Sequence, residues 1–514
     1  MKDKLLIFLA GAFYHFGIVN ALKEKYDCDL FAIVDVDDKP KKFFLRQKLV
    51  EFKKVWFYRD HVSLELKNKP DMKYLASFEE KYGINLWNIA YADKKFYKYN
   101  RFYKFSYDEI LRIFEQTCKL YEQIIDEAKP DFLLMGLHDS HRNHLLYEIC
   151  KARDIKIMLL GATRFGYRAK TSQDEKYFDF IEESSKQNLS KNITSNSDLL
   201  NYLKKFDHTK QVNEFKVKYA KSTGNKFSTL LKFFLFGGTS TSKKHFSRYG
   251  LSRSKLIRQI PGTFLNMRSI RSFIEKNAVH VLDKKTPFVY YPLHSEPERA
   301  LSIAAPFFTN QIEIITNIAK SLPAGYKLFV KEHPSMTLKR GTGRKLSFYK
   351  DLLKLPNVRL IHPEIKREEI LEKCSLVITI NGTAGLEAAF HNKPSITLIE
   401  TDYSSIPSVY TLKRIEELPI AIRTSLGKTV DQSALFKYVN MVDKNSFEYN
   451  KSILNLDFYD RFFYRGFVII EKEISEQEMK SYLDDHKEIY EKLALEFIKK
   501  IKQYKEYEPA KIKP

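Results

Sequence analysis

One loop of small residues in the second half of the chain has the composition of a phosphate site. The apolar run at residues 376–380 (LVITI) predicts a buried strand, and residues 386–390 predict the first turns of a helix. The loop between them contains Asn381, Gly382, Thr383, Ala384 and Gly385. Small side chains let an anion approach the backbone, and the N–H groups and dipole of a helix N-terminus attract it. We therefore predict anion binding, with Asn381 or Thr383 capping the helix; a tight packing turn is the alternative.

Polar clusters also follow several other predicted strands. They occupy residues 138–144, 292–299, 331–334 and 400–403. In open parallel sheets, ligands bind beyond the carboxyl ends of the strands. We therefore expect these clusters and the loop of small residues to converge in one cleft.

The cluster KEHP combines a cation with an imidazole. Pro334 restricts the preceding His333 to extended geometry, so the direction of its ring is fixed. Lys331 and His333 together suit the phosphate of a leaving group. Because a single histidine after a strand is more often structural, this prediction depends on the neighbouring phosphate loop.

The cluster PLHSEPER supplies two carboxylates that are two residues apart. His294, Glu296 and Glu298 suit contacts to a ribose or a base. A structural loop in which Arg299 pairs with a glutamate is the alternative. Glu387, one turn into the helix after the phosphate loop, is predicted to hold a sugar hydroxyl or to brace the loop.

The sequence contains no strong metal-binding pattern. His138, His141 and His144 are spaced three apart, but a loop-to-helix set without further ligands is weak evidence for a metal. The four cysteines are far apart and form no CxxC pattern, which is typical of reduced thiols in a cytosolic protein. We therefore expect a mechanism that uses neither a metal nor a cofactor.

Strands and helices alternate in the regions that must position these clusters. Residues 4–10 and 28–36 predict the first two strands of a βαβ unit, and the pattern restarts at residues 287–291. We interpret the apolar start of the chain as a strand and not as a signal peptide. Gly11 and Gly17 do not form a GxGxxG fingerprint, so no dinucleotide site is predicted. No run of 18 apolar residues predicts a spanning helix.

The predicted organisation has four parts. They are an N-terminal Rossmann-like acceptor domain (1–175), a basic insertion (176–285), a C-terminal Rossmann-like nucleotide-sugar domain (286–429) and a helical region (430–514). In the helical region, residues 475–507 predict one amphipathic helix. It either covers the first domain or lies on a membrane.

The net charge of +23 favours an anionic partner, and much of it lies in the insertion. Residues 181–280 hold 19 Lys/Arg against 6 Asp/Glu. Docking on an anionic bilayer and a solvated basic surface are equal alternatives. The stretch LLKFFLF at 230–236 is a candidate anchor, with a local core contact as the alternative.

Three motifs in order resemble those of the bacterial capsular-polysaccharide biosynthesis glycosyltransferases, a family that includes the Kdo transferases. They are YYPLHSEPE, VKEHPSM followed by SFY, and VITINGTAGLEAAFHNKPSITL. The resemblance is strongest over residues 286–410 and weaker over residues 1–175. It implies a GT-B fold, in which two Rossmann-like α/β domains face a cleft and the C-terminal one binds a nucleotide-sugar.

Many relatives in this family use CMP-activated acidic sugars. By this resemblance, Lys331 and His333 contact the cytidylate, while Asn381, Thr383 and Gly385 hold the phosphate. The loop here reads Asn-Gly-Thr, whereas relatives often carry two adjacent hydroxyl residues.

The resemblance implies transfer of a sugar, such as Kdo from a CMP donor, to a surface-polysaccharide or lipid-linked glycan. The base that deprotonates the acceptor is expected from across the cleft. Asp139 is the first candidate and Glu296 the second. Arg164 and Arg168 are candidates for binding an acidic acceptor or the donor carboxylate. The expected location is cytoplasmic, peripheral on the inner face of the membrane.

Three other functions are alternatives to a glycosyltransferase. The stretch TDYSS at 401–405 resembles a motif of the glycerol-phosphate polymerases of teichoic-acid synthesis, so a CDP-polyol phosphotransferase is one alternative. In those enzymes the motif directly follows the strand of the phosphate site, whereas here it lies one strand later. We therefore interpret the match as partly coincidental. A sugar-nucleotide epimerase and a non-catalytic membrane-associated scaffold are the others. Nucleic acid is not an expected partner, because no nucleic-acid module is recognisable in the basic region.

Overall fold

The fold was taken from a computed structural model of the protein. The structure describes residues 2–64, 68–181, 196–204, 245–246, 249–283, 285–337, 344–464 and 470–507. The candidate anchor at 230–236 lies outside the described residues.

The first half of the chain forms a seven-stranded sheet. Its first six strands are β1 (Asp3–Ala10), β2 (Cys28–Asp35), β3 (Lys54–Phe57), β4 (Phe132–Gly136), β5 (Lys156–Ala162) and β6 (Arg168–Ser172). Strands β1 to β5 are parallel, in the order β5-β4-β1-β2-β3, and β6 pairs antiparallel with β5. The strand order reverses between β1 and β4, as in a Rossmann-like sheet.

Seven helices flank this sheet in the described part of the first half. They are α1 (Phe16–Lys23), α2 (Asp38–Arg46), α3 (Tyr58–His61), α4 (Met72–Tyr82), α5 (Leu86–Ala92), α6 (Tyr107–Ala128) and α7 (His141–Ala152). Helix α6 is amphipathic and buries Ile113, Phe114 and Tyr121 among other residues of one face. Ser106 and Glu109 form a capping box at its start, which satisfies two backbone N–H groups.

Two helices of the region between the sheets are described, α8 (Asn196–Lys204) and α9 (Arg253–Asn277). On α9, the exposed side chains of Ile257, Phe264 and Leu265 accompany Arg258 and Arg268. Docking of this region on an anionic bilayer stays a prediction. Among the described helices, none combines the length and the apolar character that a crossing of the bilayer requires.

The second half forms a six-stranded parallel sheet. Its strands are β7 (Phe288–Pro292), β8 (Lys327–Lys331), β9 (Val358–Ile361), β10 (Leu376–Thr379), β11 (Ser395–Thr397) and β12 (Val409–Thr411). The order is β12-β11-β10-β7-β8-β9, so the direction of winding reverses between β7 and β10. The expected fold class, two Rossmann-like α/β sheets, is therefore confirmed.

Helices cover both faces of the second sheet. They are α10 (Arg299–Ser302), α11 (Gln311–Ser321), α12 (Leu346–Leu353), α13 (Arg367–Lys373), α14 (Thr383–Phe390) and α15 (Leu418–Leu426), with 3-10 turns at Pro306–Phe308, Pro334–Thr337 and Ile415–Glu417. The inner side chains of the strands are Val, Leu, Ile and aromatic residues that are almost fully buried. This composition is typical of a parallel sheet that is covered on both faces.

The end of the chain returns to the first sheet. Its elements are α16 (Gln432–Lys444), β13 (Phe447–Glu448), α17 (Lys451–Phe462), β14 (Phe463–Tyr464), β15 (Ile470–Glu471), α18 (Glu476–Asp485) and α19 (Lys487–Glu506). Strand β13 pairs antiparallel with β6, and α17 to α19 share a buried core with α1. The Tyr490 hydroxyl donates to the Tyr14 carbonyl at 2.9 Å, and its ring lies so close to Gly17 that a Cβ there would be 2.3 Å from it.

The structure therefore places the C-terminal helices on the first domain, one of the two predicted alternatives. The prediction of one helix over residues 475–507 is wrong, because the helix ends at Asp485 and a new one begins at Lys487. His486 lies at the break, and its Nε2 is 2.9 Å from an Asp457 carboxylate oxygen. This tertiary contact was not visible in the hydrophobic periodicity.

Candidate functional site

A crevice lies where the second sheet reverses its winding direction, between β7 and β10. His294 follows β7, and Thr379 is the last residue of β10. The His294 Nε2 and Thr379 Oγ1 atoms are 3.1 Å apart, and the Gly382 N–H donates to the same hydroxyl at 3.0 Å. In doubly wound sheets this crevice is where ligands bind.

The predicted phosphate loop forms one wall of this crevice. Helix α14 begins at Thr383, with Gly382 as its N-cap. Neither the N–H groups of Thr383 and Ala384 nor the Thr383 hydroxyl donates to any residue within the described ranges. These donors and the positive end of the helix dipole make the loop suitable for an anion.

The predicted capping of α14 by Asn381 or Thr383 is wrong. The cap is Gly382, and the Thr379 hydroxyl accepts its N–H. The Asn381 Nδ2 donates instead to the Ala300 carbonyl at 2.6 Å, because the side chain points toward the neighbouring helix. Its buried Oδ1 has no hydrogen-bond partner among the residues that the structure covers.

Tyr403 packs against the phosphate loop and holds its backbone by a hydrogen bond. Its hydroxyl donates to the Gly382 carbonyl at 2.6 Å, and a Cβ at Gly385 would lie 2.5 Å from the same hydroxyl. The Arg164 guanidinium lies 5.5 Å from the centre of the Tyr403 ring, and its Nε donates to Asp402 at 2.6 Å. The stretch TDYSS, treated as partly coincidental from the sequence, therefore holds the loop and connects it to the first domain.

His294 is buried in a polar setting that keeps it neutral. Its backbone N–H donates to the Gln311 side chain at 2.8 Å. Burial, with His333, Arg164 and Arg344 nearby, lowers the pKa of His294 to about 3. A neutral imidazole can donate a hydrogen bond to a ligand without adding a net charge.

His333 is oriented by the turn that follows it. The Ser335 N–H donates to its Nδ1 at 3.2 Å, and the Ser335 hydroxyl lies 2.8 Å from the same nitrogen. Because Nδ1 accepts, the proton of the neutral ring is assigned to Nε2. The expectation of a fixed ring direction thus has a structural basis in the Pro334–Thr337 turn.

Glu296 is held by donors from both halves of the chain. One oxygen accepts from Gln311 at 2.5 Å and from Arg344 at 3.3 Å, and the other accepts from Lys98 and from Tyr99 at 3.0 Å each. Burial alone would raise the pKa of Glu296, but Arg344 and Lys98 outweigh it and the pKa is lowered. A carboxylate with this many donors is better suited to bracing than to accepting a proton.

Arg344 connects several residues of the crevice through hydrogen bonds. The sequence did not predict this role. Arg344 donates to Glu332 at 2.5 Å and to the His294 carbonyl at 2.5 Å, and it lies 4.9 Å from the centre of the Phe348 ring. Glu332 also accepts the His333 N–H at 2.7 Å. Glu332 belongs to the KEHP cluster, so its position after β8 was an available signal, whereas Arg344 lies in a polar stretch without pattern.

Lys331 and Glu387 lie on either side of Arg367. Lys331 donates to the Ile365 carbonyl, and burial, with the Arg367 charge, lowers the pKa of Lys331 to about 8. Glu387 forms an ion pair with Arg367 at 3.0 Å, and its second, buried oxygen has no hydrogen-bond partner among the described residues. The predicted contacts of both residues with the donor stay predictions.

Asp139 lies where the winding of the first sheet reverses, just after β4. It is exposed, and its Oδ1 accepts from the Asn143 amide at 3.1 Å. The three histidines of this region do not converge on one point. His138 stacks on His144 with ring centres 4.7 Å apart, whereas His141 pairs with the buried Asp93 at 2.7 Å.

The remaining predicted residues lie nearer the domain boundary. Arg299 donates to Glu175 and lies 3.5 Å from His138 Nε2, so it connects the halves. Glu298 is exposed at the N-cap of α10. Arg168 pairs with Asp443 at 2.9 Å, which fixes the return of the chain to the first sheet.

One group of metal-ligating side chains is present among the described residues, and it lies at β9 and not in the crevice. It consists of Glu275, His280 and His362, whose ligand atoms lie within 4.8 Å of one another. The sequence did not predict it, because the first and last of these residues are far apart in the chain.

The two Rossmann-like domains, with a crevice at the winding reversal of the second sheet, have the organisation of the GT-B fold class. Residues 239–406 match the family model described as capsule polysaccharide biosynthesis protein. The resemblance to this family is thus confirmed over the segment that holds His294, His333 and the phosphate loop. No curated protein matches the sequence.

Among solved structures, the chain is similar to the KpsC β-Kdo 2,7 transferase of Thermosulfurimonas dismutans, at 12% identity and a TM-score of 0.28. That match covers 63% of this chain and 89% of that one. The UDP-GlcNAc 2-epimerase of Methanocaldococcus jannaschii, solved with UDP-GlcNAc and UDP, is 15% identical with a TM-score of 0.25. It matches over 86% of this chain and 100% of that one.

Acid should destabilise the protein through His294, which is neutral when folded and protonates when unfolded. Its folded pKa is about 3, whereas a free histidine has a pKa of about 6.5. Between these values the unfolded chain binds more protons, so stability falls as the pH falls. The loss at pH 5 is about 2 kcal/mol. Urea unfolding at pH 7.5 and pH 5.0 measures it.

His294→Gln should lose about 2 kcal/mol less than the wild type between the two pH values. The exposed His61 supplies the control, because His61→Gln should follow the wild type. An equal loss in His294→Gln and the wild type would contradict the assignment of His294 as a buried neutral group.

Proposed function

We propose that the protein is a glycosyltransferase of capsule polysaccharide biosynthesis, which moves a sugar from a nucleotide-sugar onto a glycan or lipid-linked acceptor. The observation that carries this proposal is the position of the phosphate loop. It lies at the winding reversal of the second sheet, within the segment that matches the capsule family. Its N–H donors at Thr383 and Ala384, which have no acceptor in the part of the chain that the structure describes, suit the phosphate of a departing nucleotide.

The leaving phosphate would be held by the loop and by His333. The amides of Thr383 and Ala384 and the Thr383 hydroxyl are the donors at the start of α14. The Nε2 proton of His333 adds a directed donor, since its Nδ1 is occupied by Ser335. Donors that are oriented before the reaction stabilise the charge that develops as the bond to the sugar breaks.

Asp139 is the proposed base on the acceptor side. Its exposed carboxylate follows the first sheet at its own winding reversal, and Asn143 orients it with one hydrogen bond at 3.1 Å. The second oxygen can then accept the proton of an acceptor hydroxyl. Glu296, which accepts four hydrogen bonds, would position the two domains instead.

An acidic donor sugar, such as Kdo on CMP, fits the charge near the crevice. The Nε of Arg164 donates to Asp402. Its Nη groups donate no hydrogen bond to any of the described residues. A guanidinium is a good partner for a carboxylate because it donates two parallel hydrogen bonds. Arg164 is thus the proposed contact of the donor carboxylate.

Nucleotide binding tests the donor half of the site. CMP, CDP, UDP and GDP should be compared by thermal shift, and at least one should stabilise the wild type at millimolar concentration. Thr383→Ala and His333→Ala should bind that nucleotide at least about tenfold more weakly, since each removes a hydrogen bond to a charged group. Thr424→Ala, at an exposed position, is the matched control. Equal shifts in all four proteins would refute the assignment of the loop.

Transfer activity tests the acceptor half. Asp139→Asn should lower kcat by about 10²–10⁴ while donor affinity stays unchanged, because a general base acts on the chemical step. Asp108→Asn, at an exposed aspartate on α6, should retain the wild-type rate. Full activity in Asp139→Asn would remove this residue from the mechanism. Turnover of the sugar-nucleotide without any acceptor would instead indicate an epimerase.

A further inference from the structure

Helix α9 ends against the edge of the second sheet, next to β9. There Val279 forms an isolated parallel bridge with Ile361. The Val279 N–H donates to the Leu360 carbonyl at 2.7 Å, and the His362 N–H donates to the Val279 carbonyl at 3.0 Å. Because a histidine follows each bridge partner, the backbone register places His280 beside His362.

The two imidazoles and one carboxylate are close together as a result. The rings of His280 and His362 stack with centres 4.4 Å apart and planes 24° apart. Glu275, on the last turn of α9, places Oε2 3.1 Å from the Nε2 of His362. One ligand atom from each residue lies within 4.8 Å of the others.

The hydrogen bonds leave a nitrogen lone pair available on His280. Its Nε2 lies 2.9 Å from the Glu275 carbonyl. A carbonyl only accepts, so Nε2 carries the proton and Nδ1 has the lone pair. This arrangement is common in metal-binding histidines, where the second nitrogen donates to a backbone carbonyl or a carboxylate.

We propose that Glu275, His280 and His362 bind a divalent transition-metal ion, with Zn²⁺ as the best fit. Two imidazole nitrogens and one carboxylate oxygen are a common zinc ligand set, and solvent would supply the fourth ligand. The set also suits Co²⁺ and Ni²⁺ better than Mg²⁺ or Ca²⁺, which prefer oxygen ligands.

Glu364 would complete the site without touching the metal. The Nδ1 of His362 accepts a hydrogen bond from the Glu364 N–H at 3.4 Å. Metal binding through Nε2 would move the imidazole proton to Nδ1, so this hydrogen bond would be replaced. A Glu364 carboxylate oxygen lies 3.9 Å from Nδ1, and a small movement of this exposed side chain would let it accept that proton in a hydrogen bond. Such a carboxylate orients the ligating ring and raises its basicity.

The site would have a structural role that is separate from the crevice. It links the last turn of α9 to β9, which is the edge strand of the sheet, whereas the crevice lies between β7 and β10. A bound ion would fix the end of α9 on the second domain. The proposal therefore does not depend on the proposed function.

Zinc titration of the full, untagged chain tests the site. After dialysis against EDTA and removal of the chelator, calorimetry should show one tight equivalent of Zn²⁺ per chain. His280→Ala and His362→Ala should lose that equivalent, and Glu364→Gln should weaken it by about 10–100-fold. His61→Ala, with an exposed histidine far from the site in the chain, should bind as the wild type does.

Co²⁺ absorption supplies a second measurement on the wild type itself. Four-coordinate binding should give intense d–d bands that Zn²⁺ abolishes. Circular dichroism in EDTA should show that His280→Ala folds, because His280 is exposed. The proposal is overturned if the wild type binds no Zn²⁺, if Co²⁺ stays six-coordinate, or if His280→Ala retains the equivalent.

Discussion

The arrangement of the crevice depends on one hydrogen bond, from the buried Tyr403 hydroxyl to the Gly382 carbonyl. This bond holds the backbone of the N-cap residue, directly before the first N–H groups of α14. A net contribution of about 1 kcal/mol is typical for such a bond. The Gly385 N–H donates to the same carbonyl at 3.2 Å. The position of Tyr403 also requires glycine at residue 385, since any side chain there would collide with the Tyr403 ring and hydroxyl.

Ion pairs connect the residues around Tyr403 and the crevice to the first domain. Arg164 of the first half pairs with Asp402 beside Tyr403, and Lys98 of the first half pairs with Glu296. Arg344 connects Glu296 to Glu332 and to the backbone of His294. The pairs of Arg344 with Glu296 and Glu332 are buried on both sides. Removing one member of such a pair typically costs about 3–5 kcal/mol, because its partner stays buried without compensation. The position of the first domain and the shape of the crevice are therefore coupled.

Short-range patterns were sufficient to predict the two sheets and the strand, loop and helix at residues 376–390. The apolar runs at 4–10 and 376–380 are buried strands, and the small residues after the second run leave the backbone accessible. Residues that act through distant partners were not predictable. Arg344 and Tyr403 obtain their roles from contacts that no periodicity encodes. His280 and His362 meet because a single bridge aligns two separate segments.

The central claim is that the N-terminal end of α14 holds the phosphate of the donor nucleotide. A crystal structure of the protein with the nucleotide that binds most tightly tests this claim directly. The account predicts a phosphate oxygen within about 3 Å of the amide nitrogens of Thr383 and Ala384, with the His333 ring beside it. A nucleotide bound elsewhere, with these two amides facing solvent, would contradict it.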